Sequence, residues 1–320
     1  MTTITTTTAI LAHLAGTPLD RAAADIGTTT DELGLAVALF TAAGFGAIER
    51  AQRREGHHQV LIRFADWGTA EHVAATRIAP RLRDAASEGL LTSWWFIRKW
   101  PCWRLRYQPA QTADTYEVQA LMMDSLSQLR GDGLVEYWTP TIYEPETCAF
   151  GGPDGMASAH RLFHSDSDQI LTHSTGAWPI GRRELSVLLC STMFRSAGLD
   201  WFEQGDVWHR VEQMRPLPPE VPTDRVSGMR DALKVLMFAA TEPDSILLTP
   251  RGRLAAFPQW FEAFARAGTA LGDAAGRGTL FRGLRAVLAH HVIFHANRVG
   301  LSADTQAILA RAAREAAMDR

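Results

Sequence analysis

Between Leu91 and Pro109 the sequence reads LTSWWFIRKWPCWRLRYQP, two strand-like runs meeting at Lys99-Trp100-Pro101. Side chains alternate across a strand, so in the second run Cys102, Arg104 and Arg106 share one face while Trp103, Leu105 and Tyr107 take the other. Two guanidinium groups therefore point the same way. Their planar forks match a carboxylate or a phosphate. Exposed or ion-paired arginines on an edge strand are the plainer reading. Trp94, Trp95, Trp100 and Trp103 offer either core or stacking partners for these cations.

The neighbouring segments extend this into a pattern. Gln59–Trp67 (QVLIRFADW) alternates as a strand, Gly68–Leu91 carries apolar residues at helical spacing, Thr115–Gly131 reads as an amphipathic helix, and Leu134–Tyr143 (LVEYWTPTIY) as a further strand. The order strand, helix, strand, strand, helix, strand predicts a ferredoxin-like or related α+β sheet. After Met156 the pattern is helical: Ala157–Leu171, Arg182–Ala197, Gly205–Met214, Thr223–Ala240 and a group from Leu254 to Ala317, with the proline-rich Met214–Asp224 between them. The expected fold class is thus α+β, a mixed or antiparallel sheet in the N-terminal half packed with a helix-rich C-terminal half.

A small helical element precedes the sheet. The Thr-rich start is expected to fray to about Thr8, and residues 9–50 divide into three short helices with a turn at Gly27–Thr30, the last opened by a capping Thr or Asp. The arrangement is helix-turn-helix-like, but its third helix carries Leu33, Val37, Phe40 and Thr41 where a DNA reader needs Arg, Asn or Gln. A small cap or a peptide-docking module fits better. The formal charge of −3 over 320 residues gives no general field for nucleic acid. With 46% hydrophobic and 21% charged residues the chain reads as soluble and globular, and with neither signal peptide nor membrane span read at its start a cytoplasmic location is expected. The three cysteines lie far apart without a CxxC pair, so neither a disulfide framework nor a zinc site is expected.

Several stretches could carry chemistry. HHVIFHANR (His290–Arg298) places His291 and His295 on one helix face, followed by Asn297 and Arg298; no glutamate of an HExxH motif lies between them, so hydrogen-bonded core histidines or an acid–base group fit better than a metal site. Tyr143–Met156 (YEPETCAFGGPDGM) combines turn-forming glycines and prolines with Glu146. Asp166 and Asp168 in HSDSD, with Glu203 and Asp206, read as helix caps and solvated charges. P-loop, GxGxxG and GxSxG motifs are missing, which leaves ATP hydrolysis, a standard nicotinamide fold and an α/β-hydrolase without support.

Taken in order, WWFIRKWPCWRLRY, YEPETCAFGG, AHRLFHSDS and HHVIFHANR resemble the thiopeptide-type bacteriocin biosynthesis proteins, which are similar to the C-terminal glutamate-elimination domain of class I lanthipeptide dehydratases. The resemblance covers residues 59–315. It implies one of two activities on a ribosomal precursor peptide with its leader, neither needing a cofactor or a metal. The first, expected here, is elimination of glutamate from glutamylated Ser or Thr to leave a dehydroamino acid, with a separate glutamyl-tRNA-dependent transferase subunit as partner. The second is pyridine synthesis, joining two dehydroalanines by a formal aza-cycloaddition with loss of water and leader. A noncatalytic partner that binds leader peptide through the N-terminal helices is a third reading. The resemblance assigns Arg104, Arg106 and His295 as catalytic residues and places Glu146, Asn297 and Arg298 around the substrate. Two departures stand out. Ala149-Phe150 replace the Arg-Tyr or Arg-Phe that eliminases commonly carry before the paired glycines, and Ile293 occupies a position where some relatives have their histidine.

Overall fold

The computed structural model describes residues 3–54, 56–222 and 226–318, with side chains from residue 5 to 44 and from 56 onward within those spans. It divides into two compact units, Met1–Gly56 and His57–Arg320.

The first unit is three helices, α1 (Thr3–Leu14), α2 (Leu19–Asp25) and α3 (Thr30–Arg54). Its core is small: Ala9 and Ile10 of α1, Ala22 and Ala23 of α2 and Leu33 of α3. Two expectations are corrected here. The Thr-rich start is helical from Thr3, and α3 runs 25 residues through AQRR instead of ending near Arg50. Both ends propagate from apolar turns already nucleated, and each further residue then adds a hydrogen bond without a new nucleation cost. A reciprocal cap starts α3: Thr29 Oγ1 accepts from the Glu32 N–H, and the Glu32 carboxylate accepts from the Thr29 N–H (both 3.2 Å).

The second unit opens with β1 (His58–Phe64), α4 (Ala70–Val73) continuing through a π segment (Ala74–Ile78) into α5 (Ala79–Ser87), β2 (Leu91–Lys99), β3 (Cys102–Pro109), α6 (Thr115–Gly131) and β4 (Val135–Thr141). The strands form one antiparallel sheet in the order β2-β3-β1-β4, the ferredoxin-like arrangement. Alternation decides its two faces. Val60, Ile62, Trp94, Phe96, Trp103, Leu105 and Tyr107 are buried in the main core with Val73, Leu82, Val118 and Met122 of the helices. Gln59, Leu61, Trp95, Arg104 and Arg106 take the opposite face.

The helix-rich half follows: α7 (Pro153–His173), α8 (Arg182–Ser196), α9 (Trp201–Met214), α10 (Arg230–Phe238), α11 (Pro258–Gly276), α12 (Leu284–Val299) and α13 (Ala303–Met318). Helix α7 covers the β2 edge. The Phe96 N–H donates to Ser167 Oγ (3.2 Å), and His164 Nδ1 lies 2.9 Å from the Trp94 carbonyl, so backbone groups that would be left unpaired at a sheet edge are satisfied. Helices α8 and α11 approach closely because Gly268 has no side chain; a Cβ there would lie 2.2 Å from the Met193 carbonyl oxygen. No described helix is long and apolar enough to cross a membrane.

Candidate active site

The second face of the sheet builds the site in a row. Register sets Trp95 opposite Arg106, Arg106 opposite Gln59 and Gln59 opposite Thr141. Arg106 is buried, its Nε donating to Gln59 Oε1 (2.8 Å), while Gln59 Nε2 donates to Thr141 Oγ1 (2.8 Å). The guanidinium stacks on the Tyr143 ring at 4.6 Å. Burial pulls the Arg106 pKa down to about 10, with Tyr143 and Glu146 opposing and Arg104 adding to the shift, so it stays cationic at neutral pH. One row along, Arg104 is half-buried and its guanidinium has no hydrogen bond or ion pair among the described residues.

Beside Arg106 stands an aromatic wall. His57 precedes β1, Tyr143 follows β4 and His160 projects from α7; the His57 ring lies 5.3 Å from Trp95, 5.8 Å from Tyr143 and 4.7 Å from His160. Tyr143 Oη and His160 Nε2 are 2.8 Å apart and share one proton. Burial raises the Tyr143 pKa to about 12 and lowers His160 to about 3, the latter assisted by His57 and Arg106. His57 falls to about 4 through burial and then through His58. At neutral pH the wall is therefore an uncharged phenol–imidazole pair, able to give and take a proton, next to a fixed cation.

Behind the wall lies a buried ion cluster. Asp166 on α7 is fully buried and accepts from Trp260 Nε1 (2.9 Å), from Arg298 Nε (2.7 Å) and from His295 Nδ1 (3.0 Å). Burial works to raise the Asp166 pKa, but His295 and Arg298 overcome it and hold the carboxyl below its usual range. Reading Asp166 as a cap or a solvated charge is corrected: at the middle of α7 it faces α11 and α12 and can be ionised there only because three donors surround it.

The residues assigned from sequence fall into different surroundings. Arg104 and Arg106 share the sheet face, and Arg106 lies against Tyr143. Glu146 is exposed on the turn after β4, and its charge reaches Arg106, Tyr143 and His290. His295 is 1% exposed with both ring nitrogens engaged, Nδ1 by Asp166 and Nε2 by Ser186 Oγ at 3.0 Å. Asn297 Oδ1 accepts from Gln306 Nε2 (2.9 Å), tying α12 to α13. Arg298 lies over the Phe163 ring at 4.3 Å, and its Nη1 and Nη2 have no protein partner among the described residues. His291 is fully buried with both nitrogens unpartnered, and Ile293 is buried.

At the missing cation, Ala149, a guanidinium arrives from elsewhere: Arg282 Nη1 donates to the Ala149 carbonyl (3.0 Å) and lies 3.2 Å from His290 Nδ1. The site members that sequence reasoning did not single out are His57, Tyr143, His160 and Asp166. Tyr143 and His160 sit inside stretches already marked, at the head of YEPETCAFGG and in AHRLFHSDS, but nothing local shows that they touch.

A ferredoxin-like sheet with a cationic, aromatic-walled face and a helix-rich second half characterises a single α+β domain. The chain belongs to the family of the lantibiotic biosynthesis dehydratase C-terminal region, whose model matches residues 58–317. Among solved structures it is similar to the tRNA-dependent lantibiotic dehydratase MibB from Microbispora sp. 107891 (19% identity, TM-score 0.58), covering 82% of this chain and 28% of MibB. It is similar to TsrL (17%, 0.57; 81% of this chain, 94% of TsrL) and to TbtD, the pyridine synthase from thiomuracin biosynthesis (14%, 0.53; 82% and 98%). At these identities the likeness is one of fold. No curated protein matches the sequence.

Proposed function

We propose that the chain is a tailoring enzyme for ribosomally made peptides, and that its reaction is pyridine formation from two dehydroalanines. The observation that carries this is the neutral Tyr143–His160 pair beside Arg106. The cycloaddition needs the amide before one dehydroalanine in its imidic form, which means moving one proton from nitrogen to oxygen; a phenol and an imidazole in contact can deliver one and accept the other without net charge. One bond then forms between the methylene carbons of the two dehydroalanines and a second between the imidic carbon and the α-carbon of the other dehydroalanine, closing the six-membered ring. Loss of water and of the leader as an amide leaves the aromatic ring, so no oxidant enters. Arg106 would hold a carbonyl oxygen as charge develops on it.

Glutamate elimination is the second reading, favoured by Arg104, whose donors are unengaged, and by the Arg282 guanidinium at Ala149. The base expected for it, His295, is buried together with His291; the half-buried histidine of α12 is His290, beside Arg282. This reading requires a separate glutamyl-transferring subunit. One experiment separates the two: incubation with a leader-bearing peptide containing two dehydroalanines, and in parallel with an O-glutamyl-seryl peptide, followed by mass spectrometry. Loss of water and leader from the first is expected; an unchanged first peptide with glutamate released from the second transfers the assignment to elimination.

A further inference from the structure

The row containing Arg106 is the covered end of a longer surface. Register places Ile97 opposite Arg104, Arg104 opposite Leu61 and Leu61 opposite Thr139 in the next row, with Arg63 opposite Tyr137 in the row after that, all on the face away from α5 and α6. Rows on one face of a strand are two residues, about 7 Å, apart. That is also the repeat of same-side groups in an extended peptide. Cover thins across the sheet: Trp95 and Ile97 on β2 are buried, Leu61 and Arg104 are half-buried, and Thr141, Thr139 and Tyr137 on β4 are exposed, so the open strip runs along β1 and β4 beside the Arg106 pocket. At the sheet end where β1 leaves and β2 turns into β3, Trp67 and Trp100 pack edge-to-face at 5.3 Å, Trp100 being 71% exposed.

Antiparallel sheets commonly leave one face to water, but that face is then lined by polar residues. Here Thr139, Thr141 and Arg63 fit that pattern, but Leu61, Tyr137 and the Arg104 guanidinium, which has no partner among the described residues, do not, and a tryptophan pair flanks the sheet end. Building on the peptide-tailoring reading above, we infer that this open face is the track for the substrate peptide, which lies extended from the Arg106–Tyr143 pocket towards the tryptophan pair. Arg104 grips a backbone carbonyl or a carboxylate about two residues from the reacting one. Leu61 and Tyr137 take apolar or planar side chains, and the tryptophans stack on a ring further out. The continuity with the pocket and the matching repeat favour the substrate itself over a second protein.

The test uses the full chain and a fluorescein-labelled form of the dehydroalanine peptide described above. Benzoylphenylalanine is placed at Thr139, exposed on the track, and at Glu117, exposed on α6. Photolysis should label the protein through Thr139, suppressed by excess unlabelled peptide, and not through Glu117. By fluorescence anisotropy Arg104→Ala should weaken binding roughly tenfold or more, as expected for loss of a charge-assisted hydrogen bond, and Trp100→Ala should weaken it several-fold. Binding or turnover that persists with no Thr139 labelling above that of Glu117, or with both substitutions silent, overturns the track. Labelling through Thr139 without ring closure leaves the track standing and removes the proposed reaction. No binding by the unmodified protein overturns both.

Discussion

Acidification should destabilise the sheet-and-helix unit well before its carboxylates titrate. His291 is fully buried, and burial, reinforced by Arg298 and His290, lowers its pKa from 6.5 to about 3. The unfolded chain binds a proton at this residue below about pH 6.5, whereas the native state does not until about pH 3, so native stability falls as pH drops through that window. At pH 5 the difference amounts to about 2 kcal/mol from His291 alone. His160 and His57, lowered to about 3 and about 4, act with the same sign, each contributing less because they keep some contact with solvent. Carboxyls with lowered pKa, such as Asp166 and Glu71, keep their full contribution above about pH 5 and then lose it as pH falls further. Against a typical stability of about 5–15 kcal/mol the histidine loss is large. Urea unfolding followed by tryptophan fluorescence at pH 7.5, 6 and 5 measures it. The midpoint should fall steadily, and His291→Leu should flatten the dependence. Midpoints unchanged between pH 7.5 and 5 would refute the assignment of these imidazoles as neutral buried groups.

Three substitutions probe the rest. Tyr143→Phe removes the proton shared with His160 and should lower kcat about 100-fold or more with little change in thermal unfolding; an unaltered kcat would exclude the pair from the chemistry. Asp166→Ala strands Arg298 without its counter-charge and should cost about 3–5 kcal/mol in denaturant unfolding, whereas a loss under 1 kcal/mol would mean that the cluster is hydrated. Gly268→Ala introduces a Cβ 2.2 Å from the Met193 carbonyl and should destabilise by about 1–3 kcal/mol through separation of α8 and α11; wild-type stability would show that the two helices can slide apart freely.

Period-two alternation made the sheet legible. The runs on either side of Trp100-Pro101 needed only their own residues to set Arg104 and Arg106 on one face and Trp103, Leu105 and Tyr107 on the other, and membership of the main core follows that division, although both faces are largely buried. The order of strands and helices carried the topology for the same reason: each element declares itself within a few residues. The site was less legible because its contacts are between elements. Asp166 has the sequence surroundings of any polar helix residue, and what makes it a buried anion is Trp260, His295 and Arg298, drawn from helices about a hundred positions further on. His295 illustrates the converse. Its spacing suits an acid–base group, but Asp166 and Ser186 occupy both its nitrogens.

The buried cluster is tied to the two elements that carry the pocket wall, which would give it a part in the proposed reaction as well as in stability. Arg98 on β2 donates from Nε to the Arg298 carbonyl (2.7 Å) and pairs with Glu71 of α4, which also pairs with Arg182 of α8. Helix α12 is thereby fixed to β2 from one side by Arg98 and to α7 from the other by Asp166. Both anchors sit on elements that carry pocket residues, Trp95 on β2 and His160 on α7. For the proposed reaction a rigid wall would matter, because the proton would pass through a phenol and an imidazole whose placement sets the barrier, and a misplacement of about 1 Å can cost about 100-fold. Under the proposed reaction Asp166 and His295 would act through the placement of His160 rather than at the reacting atoms. On that reading, a histidine that sequence spacing marks as catalytic would serve as a strut for one that spacing did not mark.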